Sequence, residues 1–243
     1  MMEPGSRAPL GPVCHADGVN FAIWAEAAER VELCLYDERG RATGRYDLPA
    51  RSDGVWHGFL PGCAEGQRYG YRMHGPYAPQ SGHRFNPNKL LIDPYARLLA
   101  GEFCWEAAVF DYSSRGGEPT LNTADSAAFV PKSVVTAVNV PGPAGPRIPW
   151  AETVIYEANV RGYTMRHPDV AVRDRGRFAG MTNGQVLDYV KALGITTIEL
   201  MPVHAFIDEQ ALIRRGLRNF WGYNPISFFA PANRYASTDA RQE

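Results

Sequence analysis

An excess of charge of either sign is missing from this sequence. Its 243 residues carry 25 lysines and arginines against 26 aspartates and glutamates, a formal net charge of −1. Nothing in that balance draws the chain to nucleic acid or to an anionic membrane surface. Long apolar runs are missing too. None approaches the ~20 residues that a membrane-spanning helix needs. Met1 to Pro12 lacks the apolar core of a secretory leader, so a cytoplasmic location is expected. Cysteine is scarce. Cys14, Cys34, Cys63 and Cys104 lie far apart with no C-x-x-C spacing, which argues against a zinc site or a disulfide framework. Buried free thiols are the expected alternative.

What remains is an ordinary globular composition, 45% apolar and 21% charged. The first half reads as strands. Val19–Ala25 alternates in part, and Arg30–Tyr36 alternates cleanly with Val31, Leu33 and Leu35 on one face. Val55–Leu60 and Gln67–Met73 are two further candidates. Turn residues separate these runs at short intervals, the pattern of an antiparallel β-sandwich of the immunoglobulin-like kind. Gly75 to Asn88 is loop-like, Leu90–Tyr95 is a short apolar clip, and Val134–Val140 is expected to be extended. Pro141–Pro149 holds four prolines and two glycines and reads as a linker, which sets the domain boundary.

Beyond the linker the pattern changes. Thr153–Glu157 is near-continuously apolar, as buried parallel strands are. Met181–Leu193 has helical spacing at Val186, Leu187, Val190 and Leu193, with Thr182 as the expected N-cap and Gly194 as the stop. A second strand, Thr196–Met201, follows and completes a β-α-β unit. It empties into a loop bearing His204, Phe220, Trp221, Tyr223 and Asn224. In parallel α/β folds ligands sit on such loops. Aromatic faces beside amides and hydroxyls suit a sugar, whose C–H face stacks and whose hydroxyls need partners.

Several blocks then become recognisable in order. Val154–Thr164, Gly194–Phe206 and Asn219–Pro225 with Arg234–Ser237 resemble the first two barrel strands, and the loop after the second, of isoamylase-type glycogen debranching enzymes of the α-amylase superfamily. Tyr69–Arg72 and His83–Ala96 resemble their N-terminal sandwich, a carbohydrate-binding module of family 48. The resemblance implies a sandwich with its connecting segment over residues 1–140 and the start of a (β/α)8 TIM barrel over 150–243. It implies hydrolysis of α-1,6 branch links in glycogen by a retaining mechanism, with no organic cofactor, and it assigns no metal-ligating residue here. It also implies that no catalytic residue is present here. No His-Asp or Asn-His pair occurs, Arg173-Asp174 lacks the spacing of the nucleophile motif, and in the family's order all four catalytic motifs come after Glu243.

The matching tyrosine of the family stacks on the sugar beside the cleaved bond, which assigns Tyr223 to substrate binding against a core-packing alternative. Trp221 and His204 are further substrate-binding candidates, each with a structural alternative of equal weight. Asn224 is a fourth candidate, although asparagine commonly shapes its own loop. Glu157 and Arg161 read as barrel-interior or interface charges, and Arg214, Arg215 and Arg218 as a solvated loop face. In the sandwich, Trp24, Trp56, Tyr69 and Tyr71 could form a glucan platform, but alternating aromatics on strands are more often core, and core is the expected reading. A non-catalytic glucan-binding scaffold, a branching enzyme and a trehalose-releasing hydrolase remain open alternatives.

Overall fold

The computed structural model describes residues 1–113, 120–137, 142 and 144–237. The chain divides into two compact units, Met1–Val138 and Asn139–Glu243.

The first unit is built from antiparallel strands. β1 (Gly11–Cys14), β2 (Gly18–Trp24), β5 (Ala50–Ser52) and β6 (Val55–Pro61) make a four-stranded sheet ordered β1-β2-β6-β5. β3 (Arg30–Tyr36), β4 (Ala42–Asp47), β7 (Arg68–His74), β10 (Leu99–Ala100) and β13 (Lys132–Val134) make a second, ordered β10-β13-β7-β3-β4. Two short hairpins, β8 (Tyr77–Ala78) with β9 (His83–Arg84) and β11 (Tyr112–Ser113) with β12 (Thr120–Leu121), hang from this frame. Strand periodicity sends alternate side chains to one face. Val19, Phe21 and Ile23 of β2, Val31, Leu33 and Leu35 of β3, and Tyr69 and Tyr71 of β7 accordingly meet in a single core between the sheets.

That parity divides the four candidate platform aromatics. Tyr69 and Tyr71 are fully buried and pack edge-on, at 5.7 Å, within the core. Trp56 pairs with Ile23 across the sheet, lies against the same core and donates its indole N–H to Ala25 O at 3.1 Å. Trp24, one position on from Ile23, faces outward and is 59% exposed. The core reading thus holds for Tyr69, Tyr71 and Trp56, and Trp24 alone of the four presents an exposed indole. The four cysteines are free thiols, as expected, but full burial holds only for Cys34: Cys14 and Cys63 are half-buried and Cys104 is exposed.

Buried polar groups tie the long excursion between β10 and β13 to the sandwich. Lys89 donates to Ala108 O (2.8 Å) and Ala124 O (2.6 Å), and Lys132 to Ala127 O and Val130 O (both 2.6 Å). One guanidinium nitrogen of Arg72, Nη2, donates to both carboxylate oxygens of Asp125 at 2.7 and 2.8 Å, and Nη1 donates to Pro87 O at 2.8 Å. Hydrogen bonds between charged groups are among the stronger ones in proteins. Asp93 is completely buried. It accepts the Tyr69 hydroxyl (2.8 Å) and the Tyr95 amide (2.8 Å), while its own amide donates to Ser133 Oγ (3.0 Å). The apolar clip Leu90–Tyr95 is therefore also a polar lock.

In the second unit β14 (Ile155–Ala158) and β15 (Thr197–Leu200) pair in parallel, Ile155 with Thr197 through Ala158 with Leu200. Between them come α1 (Val160–Thr164), α2 (Phe178–Met181) and α3 (Gly184–Ala192), and α4 (Gln210–Ile213) follows β15. The expected helix over 181–193 is two elements. Asn183, not Thr182, caps α3: its Oδ1 accepts from Gln185 N (3.0 Å) and Val186 N (3.3 Å). The Thr182 hydroxyl instead donates to Ala179 O at 3.0 Å and closes α2. The expected burial of the first strand is corrected too, because Ile155, Tyr156 and Glu157 are exposed and only Ala158 is buried. Strand β13 ends at Val134, and residues 138–140 of the expected extended stretch lie outside the described residues, as do two positions of the expected linker. No helix among the described residues is long and apolar enough to cross a membrane.

Candidate functional site

The loop after β15 is where the sequence-derived candidates lie, and its backbone explains their exposure. Met201 N still donates to Ala158 O (2.9 Å), extending the β-pairing by one residue. Val203–Ile207 then runs beside the returning limb. Ala232 N donates to Val203 O (2.8 Å), Ala205 N to Ala230 O (2.8 Å), Ile226 N to Ala205 O (2.8 Å) and Ile207 N to Asn224 O (3.1 Å). The apolar side chains of these limbs separate accordingly. Phe206, Ala232 and Tyr235 are buried with Ala158, Val160 and Met181. Phe220, Trp221, Tyr223, Phe228 and Phe229 face outward.

Tyr223 is 65% exposed and Trp221 54%, so neither is a core residue of this unit. The two flank Gly222 in one turn. Phe220 packs edge-on against Trp221 at 5.0 Å. His204 is exposed on the facing limb, its ring 6.5 Å from that of Phe228. Asn224 is half-buried. Its carboxamide donates to Glu209 Oε1 (3.4 Å) and its carbonyl accepts Ile207 N, so its present bonds shape the loop.

Gly222 is required where it stands. Its φ is +85°, and a Cβ there would come within 2.9 Å of Pro202 O and 3.1 Å of Pro202 Cβ. A side chain in this region is strained before any contact is counted. Gly222→Ala is expected to cost the second unit about 1–3 kcal/mol. Urea unfolding followed by tryptophan fluorescence checks this, and an unchanged midpoint would mean that the turn is not held in this conformation.

The polar frame under the turn was not singled out from sequence. Asp208 accepts Arg234 at 2.9 Å and the Asn219 amide at 2.8 Å, and the Arg234 guanidinium lies 4.2 Å over the Phe206 ring. Asn219 is buried. Its Nδ2 donates to Glu209 Oε1 (3.0 Å), and its Oδ1 accepts the Gly222 amide (2.8 Å). Asn159, directly after β14, donates to Phe220 O (3.3 Å) and accepts Gly162 N (2.8 Å), capping α1. The carboxylates nearest the aromatic turn are thus engaged in building it. Phe228 and Phe229 are exposed as well, and their only sequence signal is that they are adjacent aromatics in a loop closed by Pro231.

The arrangement offers exposed rings on a braced turn at the carboxyl end of a parallel strand. Flat aromatic faces stack on apolar C–H surfaces, while their surroundings supply amides and an imidazole for hydroxyl groups. Glu157 and Glu199 are exposed at paired positions of β14 and β15. Arg214, Arg215 and Arg218 are exposed, as a solvated loop face requires.

Comparison with known proteins places both units. Residues 9–96 match the carbohydrate-binding module 48 family (isoamylase N-terminal domain). A glycogen debranching enzyme of Erwinia tasmaniensis is 47% identical over 241 residues, 97% of this chain and 35% of that protein. One from Klebsiella pneumoniae (strain 342) is 47% identical over 242 residues, 99% of this chain and 36% of that protein. The chain therefore spans about a third of the length of the curated relatives it matches. Among solved structures, a pullulanase from Bacillus acidopullulyticus superposes with a TM-score of 0.68 at 24% identity, over 97% of this chain and 26% of that one. That likeness is one of fold. Residues 9–96 are thus similar to a carbohydrate-binding module of family 48, and the chain is, nearly end to end, similar to about a third of bacterial glycogen debranching enzymes.

Proposed function

We propose that this chain forms the N-terminal part of a debranching glycoside hydrolase of the α-amylase superfamily, acting on α-1,6-glucosidic links of glycogen or a similar branched α-glucan. The observation that carries the reading is the exposed aromatic turn Phe220–Tyr223 at the carboxyl end of β15, in a chain 47% identical over 97% of its length to a relative named glycogen debranching enzyme. Residues 1–140 are the family 48 module with its connecting segment. Residues 150–243 are the first two strands of a (β/α)8 barrel, a fold whose ligands sit on the loops after the strands. The reading includes a cytoplasmic location and no nucleic-acid or membrane partner.

In this reading Tyr223 and Trp221 stack on glucose units, and His204 supplies a polar group beside them. Asn224 acts chiefly through the loop's shape. Retaining hydrolysis needs a nucleophilic carboxylate and a second carboxyl group about 5 Å away as acid/base. Asp208 and Glu209 are bonded into the frame of the turn, so both catalytic groups are assigned to the part of the relatives that follows the matched third. Within the module Trp24 is the exposed ring of the four candidates, the one able to meet glucan.

A chimera tests this. Residues 1–243 replace the matching third of the Klebsiella pneumoniae relative, and release of linear chains from a branched dextrin is measured. The chimera is expected to debranch, and the 243-residue chain by itself to release no reducing sugar. A folded chimera without activity would sink the reading. So would turnover by the chain alone that survives repurification.

A further inference from the structure

We infer that Asn219, framed by Asp208 and Arg234, is a positioning residue that fixes the orientation of the Tyr223 ring for α-glucan. The inference rests on the functional reading above and assigns a role to residues that do not touch the sugar themselves. Asn219 is buried at the base of the turn and bonded in three directions. Its amide donates to Asp208 Oδ1 (2.8 Å), its Nδ2 to Glu209 Oε1 (3.0 Å), and its Oδ1 accepts the Gly222 amide (2.8 Å). The last bond lies one residue before Tyr223. Glu209 Oε1 also accepts the Asn224 carboxamide at 3.4 Å, one residue after it. The residues on both sides of Tyr223 are thus tied, Gly222 through its backbone amide and Asn224 through its side chain, to the pair Asn219 and Glu209.

Asp208 is itself held. Arg234 reaches it with two nitrogens, at 2.9 and 3.4 Å, and also donates to Asn219 O (3.4 Å). The Arg234 guanidinium is backed by the Phe206 ring at 4.2 Å, and Phe206 belongs to the buried cluster under β14 and β15. A continuous path of short contacts therefore runs from the core to the backbone of an exposed ring. The ring itself is 65% exposed, so its own packing cannot orient it. A stacking side chain on an unbraced turn would sample many orientations, and ordering it on binding would weaken every contact it makes.

A merely structural role would lower the folded fraction whatever occupies position 223. A positioning role acts through that ring and disappears with it. The test is a double-mutant cycle in the active chimera, measuring kcat/KM on a branched dextrin for Asn219→Ala, Tyr223→Ala and the pair. Asn219→Ala is expected to lower kcat/KM about tenfold in the parent and less than twofold in the Tyr223→Ala background. Multiplying losses would overturn the inference. Should Asn219→Ala fail to fold, Asp208→Asn, which keeps an acceptor for the Asn219 amide, is expected to give a several-fold loss with the same dependence on Tyr223; a loss independent of Tyr223 overturns the inference equally.

A second readout does not use activity. In the 243-residue chain the Gly222 amide should exchange slowly with deuterium, and Asn219→Ala should accelerate it at least tenfold while the amides of β3 and β7 are unchanged. Rapid Gly222 exchange in the unaltered chain would overturn the inference. An inactive chimera with the expected exchange pattern would refute the enzymatic reading and leave the brace standing.

Discussion

Tyr223→Ala in the chimera is expected to lower kcat/KM on a branched dextrin tenfold or more. Stacking on one aromatic ring contributes about 1–2 kcal/mol by analogy with other aromatic contacts, and about 1.4 kcal/mol of lost transition-state binding is a factor of ten. The structure makes the experiment clean, because Tyr223 is exposed and absent from the buried cluster of its unit. Its removal leaves no cavity, so activity is lost without the fold. Tyr223→Phe keeps the ring and should lose less. A value for Tyr223→Ala within twofold of the parent, with the fold intact by circular dichroism, would remove Tyr223 from the substrate site.

How far the fold can be read from sequence depends on whether the signal is local. Arg30–Tyr36 is legible to the residue, since Val31, Leu33 and Leu35 alternate toward the core. β2, β6 and β7 lie within a residue of their expected bounds. β4 is an edge strand with a largely exposed, polar sequence, and β1 begins within a run containing Pro9, Gly11 and Pro12; neither carries the alternation that marks a half-buried strand. The platform aromatics needed register. Trp24 and Trp56 look alike in sequence, but pairing of Ile23 with Trp56 sends one indole outward and the other to the core.

The site divides in the same way. Its rings were legible because Phe220, Trp221 and Tyr223 are contiguous and follow a strand. The frame beneath them was not, because Asn219 and Arg234 lie 11 and 26 residues beyond Asp208 along the loop. No periodicity links them, and each alone is an unremarkable loop residue. Thr182 against Asn183 as the cap of α3 shows the limit of a purely local rule. Both residues are competent caps, and the choice is made by the turn that ends α2, which occupies the threonine hydroxyl. Asp93 reads as one polar residue in an apolar clip, and only the closure of Ser133 and Tyr69 around it makes it a buried lock.

That lock makes the stability of the first unit depend on pH through Asp93. Burial pushes its carboxyl up to about 6, against an ordinary value of 3.8, although the Tyr95 amide and the Tyr69 hydroxyl oppose the shift. A carboxyl raised on folding favours the folded state while both forms are protonated, below about pH 4. As pH rises, the unfolded chain ionises first, and the advantage is lost through about pH 6. By neutral pH the loss approaches about 3 kcal/mol, at ~1.4 kcal/mol per pH unit of displacement. Asp93→Asn removes the titration and keeps the geometry, for the carboxamide oxygen can accept the Tyr95 amide and the Tyr69 hydroxyl can turn to accept from the new N–H. Stability of the variant relative to the parent should therefore rise by about 2 kcal/mol between pH 4 and pH 8, the remainder being lost below pH 4. The comparison is made as a difference because Glu32 and Asp125, whose folded carboxyls are held below their ordinary range, titrate in the opposite sense in both proteins. Urea unfolding at pH 4, 6 and 8 measures it, and a difference that stays flat across that range would mean that Asp93 is ionised in the folded sandwich throughout.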